Sequence, residues 1–126
     1  MLRDLNGLRV LIVEDEAMVS MLIEDMLTDL GCVVVATAAR VEEALARVNT
    51  GGFDIAVLDM NLDGQSAHPI ADALRSASLP FAYATGYGEA TRRDVDRAVP
   101  VLTKPFQEGQ LAAVLRELGS PEAAQK

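Results

Sequence analysis

Residues 8–31 read LRVLIVEDEAMVSMLIEDMLTDLG, and the order of their parts decides the architecture. The run 8–13 is apolar apart from Arg9, without the alternation of a half-exposed strand. Such a run suits a strand buried on both faces, as in a parallel sheet. Three acids follow, Glu14, Asp15 and Glu16, and then Val19, Leu22, Ile23, Met26, Leu27 and Leu30 recur at helical spacing. Gly31 stands where a helix ends in a left-handed cap.

Outward from this unit the same alternation continues, with no repeat at a fixed period. Apolar runs at 32–36, 55–58, 81–85 and 99–102 predict four further strands. Val41, Ala44, Leu45 and Val48 mark a second helix, closed by Gly51 and Gly52. Ile70, Ala73, Leu74 and Ala77 mark a third, ended by Pro80, and Leu111, Val114, Leu115 and Leu118 a last one. The stretch 89–98 has Val95 as its only sizeable apolar residue, yet its place in the alternation makes it the expected remaining helix. Five strands alternating with five helices predict a (βα)5 α/β fold, a parallel sheet with helices on both faces. The domain is expected over 8–118, after an extension at 1–7 and before a polar, fraying tail at 119–126. That tail could equally open a linker.

Composition narrows the function. The chain has 126 residues, one domain's worth, and half of them are hydrophobic, which excludes a disordered chain. Its net charge of −8, without a basic cluster, argues against a nucleic-acid binder that neutralises phosphates. No apolar run approaches the roughly 20 residues of a membrane span, and the first residues lack the layout of a signal peptide. Cys32 stands alone, so no internal disulfide is possible. A cytoplasmic protein is the expectation.

Open parallel sheets collect their functional groups at the carboxyl ends of the strands. Here those ends carry Glu14-Asp15-Glu16, Asp59 with Met60-Asn61, Thr85-Gly86, and Thr103-Lys104-Pro105. Taken singly, each has a bland reading: the first acids as a helix start, Asp59 as a turn former, Lys104 as a solvated side chain. Their agreement across four strand ends, with Asp15, Asp59 and Lys104 at nearly equal intervals, favours one joint site. Three clustered carboxylates repel unless a cation joins them, and hard oxygen ligands suit Mg²⁺. Lys104 and Thr85 offer an ammonium and a hydroxyl to a phosphoryl oxygen, and an aspartate can be the nucleophile of phosphoryl transfer.

The stretches 10–16 (VLIVEDE), 57–62 (VLDMNL), Ala84-Thr85-Gly86 and 102–106 (LTKPF) resemble the receiver domain of two-component response regulators, over about 8–118. The resemblance implies a flavodoxin-like fold, doubly wound, with strand order 2-1-3-4-5. It implies Asp59 as phosphoacceptor from a sensor histidine kinase or a histidine phosphotransfer protein. It places Mg²⁺ on Asp15, Asp59 and the backbone carbonyl of Asn61, with Glu14 in the same acidic pocket through a metal-bound water. Thr85 and Lys104 would hold the phosphoryl oxygens, with Thr85 as the switch. By the same resemblance the chain is a stand-alone signalling phosphoacceptor, not an enzyme beyond its own phosphorylation and dephosphorylation, that signals, shuttles or drains phosphate. A downstream target would meet the face of the 89–98 segment, the fifth strand and the last helix.

Two departures matter. Glu14 stands where Asp is commoner, and Val101 stands where many receivers carry an aromatic switch in the fifth strand. The Ala84-Thr85-Gly86-Tyr87 sequence resembles a receiver subgroup with that motif, in which Tyr87 could take over the signalling role; the alternative is an exposed loop aromatic. A haloacid dehalogenase-like phosphatase or phosphotransferase would also use Asp59 with Mg²⁺, but Asn61 stands where its second Asp acts as general acid. A flavin module would need a phosphate cradle that 14–18 lacks. His68 reads as helix-start surface, Cys32 as core, and Arg92, Arg93 and Arg97 as a solvated helix face.

Overall fold

The computed structural model describes residues 4–86 and 93–118. Its order is β1 (Arg9–Val13), α1 (Ala17–Asp29), β2 (Val33–Ala38), α2 (Val41–Thr50), β3 (Ile55–Asp59), then a hairpin of β4 (Asn61–Leu62) and β5 (Gln65–Ser66). It continues with α3 (His68–Ser76), β6 (Phe81–Thr85), a 3-10 turn (Asp94–Asp96), β7 (Val101–Thr103) and α4 (Glu108–Leu118). The main sheet runs β2-β1-β3-β6-β7, every neighbouring pair parallel, so its five strands take the predicted order 2-1-3-4-5. This is the doubly wound, flavodoxin-like α/β fold.

The strands that read as unbroken apolar runs are the buried ones. Every residue of β3 and β6 is buried, as is β1 after Arg9. Alternate residues send their side chains to two cores. Val10, Ile12, Ile55 and Val57 meet Ile23 and Leu27 of α1 and Leu111 and Leu115 of α4. Leu11, Val13, Ala56 and Leu58 meet Ala44 and Val48 of α2 and Ile70 and Leu74 of α3. The edge strand β2 differs: the register slips from Val10↔Val34 to Leu11↔Ala36, which leaves Val35 as a bulge and half-exposed. A bulge on an edge discourages another strand from pairing there.

The end of α1 follows from Gly31. Its N–H bonds to the Thr28 carbonyl and that of Cys32 to the Leu27 carbonyl, the two bonds of a Schellman cap. Gly31 has φ +87°, and a Cβ there would lie 3.0 Å from Asn6 Oδ1. Gly31→Ala is therefore expected to cost about 1 kcal/mol, read as a lower urea midpoint with an unchanged slope.

Two expectations change. The helix expected over 89–98 is, in its described part, only the 3-10 turn Asp94–Asp96. Val95 points to solvent, so no apolar stripe holds a helix down, and Asp96 instead turns its side chain fully inward. Residues 99 and 100 also lie outside β7, because the Val99 N–H bonds to the Asp96 carbonyl rather than to a strand. The β4–β5 hairpin had not been expected, although Asp63-Gly64 is a turn signal. Both residues have positive φ, 52° and 86°, as a tight hairpin turn requires.

Candidate functional site

The carboxyl ends of β1, β3, β6 and β7 meet at one edge of the sheet, where they line a cleft of about 740 Å³. Asp15, Asp59, Asn61, Thr85 and Lys104 all border it. Glu14, Asp59 and Thr85 are buried, while Asp15 is half-buried. One carboxylate oxygen from each of Glu14, Asp15 and Asp59 lies within 4.8 Å of the other two. Short parallel strands ending abruptly in acids bring this about: β3 stops at Asp59 itself, and β1 one residue before Glu14.

Lys104 holds the cluster together. Its Nζ donates to Glu14 Oε2 at 2.8 Å and, less closely, to Asp59 Oδ2 at 3.4 Å. Glu14 Oε1 also accepts the Glu16 N–H at 3.2 Å, so the long glutamate arm is fixed at both oxygens. The Lys104 N–H bonds to the Thr85 carbonyl at 2.8 Å, which ties the two strand ends together. Burial pushes the Asp59 carboxyl up to about 7, the Glu14 charge pushes the same way, and Lys104 opposes both. The ammonium of Lys104 loses stability by burial, but its bond to Glu14 and the charges of Asp59 and Glu14 outweigh this and raise its pKa.

The hairpin is part of the site. Asp63 N–H donates to Asp15 Oδ2 at 3.0 Å, Asn61 N–H to Asp59 Oδ1 at 3.3 Å, and Gly64 N–H to Asn61 Oδ1 at 2.8 Å. The Asn61 side chain therefore closes the turn, and its backbone lies beside Asp59. Asp63 is not among the expected site residues, although it sits in the turn signal. Asp96, fully buried on the far side of β6, was also missed; no local pattern distinguishes it from a solvated acid. Arg93 leaves the expected solvated face to bond Asp96 and Asp72, whereas Arg97 stays exposed and pairs with Asp94. Tyr87 and Arg92 lie outside the described residues. His68 opens α3 and Cys32 is buried.

Three hard, anionic oxygens converging beside the cleft are a donor set that fits Mg²⁺. Receiver domains generally bind that ion through such an acidic pocket. Removing divalent metal is expected to lower the midpoint of thermal unfolding, and adding back millimolar Mg²⁺ to restore it, since a ligand of the folded state stabilises it.

Residues 10–116 match the family described as response regulator receiver domain. The transcriptional regulatory protein TcrA of Mycobacterium tuberculosis is 36% identical over 118 residues, which cover 90% of this chain and 46% of TcrA. The chain thus spans about half the length of that curated relative. The solution structure of SdrG from Sphingomonas melonis Fr1 superposes with a TM-score of 0.79 at 39% identity, covering 95% of this chain and 98% of SdrG. The BeF3-activated conformation of SdrG from Pseudomonas melonis Fr1 gives 0.78 at 42% identity, with 89% and 96% covered. No described helix is long and apolar enough to cross a membrane.

Proposed function

Since the chain belongs to the response regulator receiver family, we propose that it accepts a phosphoryl group on Asp59 from a phosphohistidine and changes conformation in response. The observation that carries this reading is the convergence of Glu14, Asp15, Asp59 and Lys104 at one cleft. A carboxylate oxygen of Asp59 attacks phosphorus, the O–P bond forms, and the N–P bond of the donor breaks. The bonding pair leaves on that imidazole nitrogen, which takes up a proton unless the ring's other nitrogen already carries one. Asp59 must be ionised to attack, and Lys104 lowers the cost of its charge.

Glu14, Asp15, Asp59 and the Asn61 carbonyl would hold Mg²⁺, which when bound neutralises charge on the phosphoryl oxygens. The phosphoryl group carries about −1.5 to −2 charge where the carboxylate carried −1, so the site gains about −0.5 to −1 and the charge moves outward from Asp59. Lys104 then exchanges its close contact with Glu14 for the phosphoryl group, and the Thr85 hydroxyl turns to the same oxygens. The donor would be a sensor histidine kinase or a histidine phosphotransfer protein. Val19, Leu22, Ile23, Met26 and Phe106 form the apolar wall of the cleft, and the exposed Leu22 would meet the donor's surface. The reading as a dehalogenase-like phosphatase is not favoured, because residues 10–116 match receivers and Asn61 uses its side-chain oxygen to close a turn.

Intact-mass spectrometry with acetyl phosphate tests the proposal. The wild type with Mg²⁺ is expected to gain one phosphoryl adduct, and Asp59→Asn or the chelated wild type none. An adduct that survives in Asp59→Asn would overturn the assignment.

A further inference from the structure

Away from the cleft, five side chains from three elements close a ring. Asp72 and Arg75 come from α3, Tyr83 from β6, and Arg93 and Asp96 from the connection between β6 and β7. The Asp96 carboxylate is wholly buried and accepts from Arg75 Nη2, from Tyr83 Oη at 2.8 Å and from Arg93 Nε at 3.0 Å. Arg93 Nη2 and Arg75 Nη1 also reach Asp72 Oδ1, at 2.9 and 3.1 Å. Burial alone would raise the Asp96 carboxyl, but Arg93, Tyr83 and Arg75 outweigh it and hold the group below its ordinary value. Burial and the neighbouring Asp96 raise the Tyr83 phenol, so it remains a donor.

The ring is balanced in charge, two carboxylates against two guanidiniums. Arg75 and Arg93 keep 37% and 28% of their side chains in solvent, whereas Asp96 keeps none. Removing one partner leaves a buried carboxylate short of donors, which is costly. Swinging the 3-10 turn outward instead returns every charged member to water together. Two packed arrangements with little between them are what a switch needs.

Position connects the ring to the site. Tyr83 and Thr85 lie two residues apart on β6 and so share a face of the sheet. Thr85 is bonded to the start of the lysine loop, and Asp96 is bonded through Val99 to the approach of β7. α3 directly follows the hairpin that carries Asn61. Any shift of the β6 and β7 ends toward Asp59 therefore pulls on the Tyr83–Asp96 bond.

We infer that the Asp96-centred ring is a latch that holds the 93–99 segment against α3 and releases it when Asp59 is phosphorylated, with Tyr83 as the positioning residue that transmits the pull. The inference rests on the phosphorylation proposed above.

Amide hydrogen exchange on the full chain tests it, using peptides over 94–99 and over α4 as reference. Mg²⁺ with beryllofluoride serves as the phosphoryl mimic, and fluorine NMR, compared with Asp59→Asn, reports its seating at Asp59. Exchange over 94–99 in the wild type is expected to quicken about tenfold on loading, with α4 unchanged. Arg75→Gln should reach about that rate unloaded and gain little on loading, while Arg9→Gln, which disturbs only a surface pair with Asp54, should behave as wild type. Tyr83→Phe, which removes one hydroxyl and keeps the ring's charges, should fall between, and it serves if Arg75→Gln fails to fold. A seated mimic with unchanged exchange over 94–99 overturns the latch and leaves the phosphoacceptor reading intact. Tyr83→Phe indistinguishable from wild type in both states also overturns it. No seated mimic sinks the phosphoacceptor reading and the latch with it.

Discussion

Asp59→Asn is expected to stabilise the metal-free protein at pH 8 by a few kcal/mol, at most about 4. The Asp59 carboxylate is here a destabilising charge. Asp59 is buried beside Glu14, and its pKa rises from 3.8 to about 7. The folded chain thus binds the proton more tightly than the unfolded chain does. Below the unfolded value both states are protonated and Asp59 contributes nothing. Between about 4 and 7 the fold must either keep a proton that the unfolded chain has released or bear the buried charge. Above about 7 the penalty is complete. Metal-free wild type should therefore lose stability from pH 5 to pH 8, and Asp59→Asn should lose much less. Urea unfolding in chelator at both pH values measures the difference. A variant no more stable than wild type at pH 8 would show that Lys104 already compensates the charge. Asp96 has the opposite sign: its lowered pKa gives stability above the ordinary carboxylate value, lost as pH falls through the folded one.

Lys104→Met is expected to destabilise the metal-free protein at pH 8 by about 3–5 kcal/mol, the usual cost of stripping one partner from a buried ion pair. The ammonium is the only cation given a bond to Glu14 or Asp59 among the described residues, and their side chains are 1% and 9% exposed. Methionine fills similar volume, so packing loss is small and the electrostatic effect dominates. Adding Asp59→Asn should recover more stability in Lys104→Met than it gives wild type, because without the ammonium nothing offsets the Asp59 charge. That non-additivity identifies the shared partner. Mg²⁺ should also stabilise Lys104→Met more than wild type, since no ammonium competes for the carboxylates. The same gain from Asp59→Asn with and without Lys104 would place Lys104 outside the pair.

Much of this was legible from the residues alone. Five short apolar runs lacking polar alternation suit the strands of a parallel sheet, and Gly31, Gly51 and Pro80 punctuate the helices between them. A parallel sheet then sends every strand's carboxyl end to one edge, which makes Glu14, Asp15, Asp59, Thr85 and Lys104 neighbours before any coordinate is known. These inferences hold because backbone period and chain direction are local properties that side-chain patterns express directly.

What only the folded molecule decided is how charged groups choose partners. Lys104 sits closer to Glu14 than to Asp59, Asp63 donates to Asp15, and Asp96 turns inward to two arginines and a phenol instead of facing solvent on a helix. Arg93-Asp94-Val95-Asp96 looks like a solvated helical stretch, and its local pattern contains no hint of Tyr83 or Arg75. Periodicity reports which face of an element avoids water. Which acid meets which base depends on distances between segments far apart in the chain, and those exist only once the sheet has brought them together.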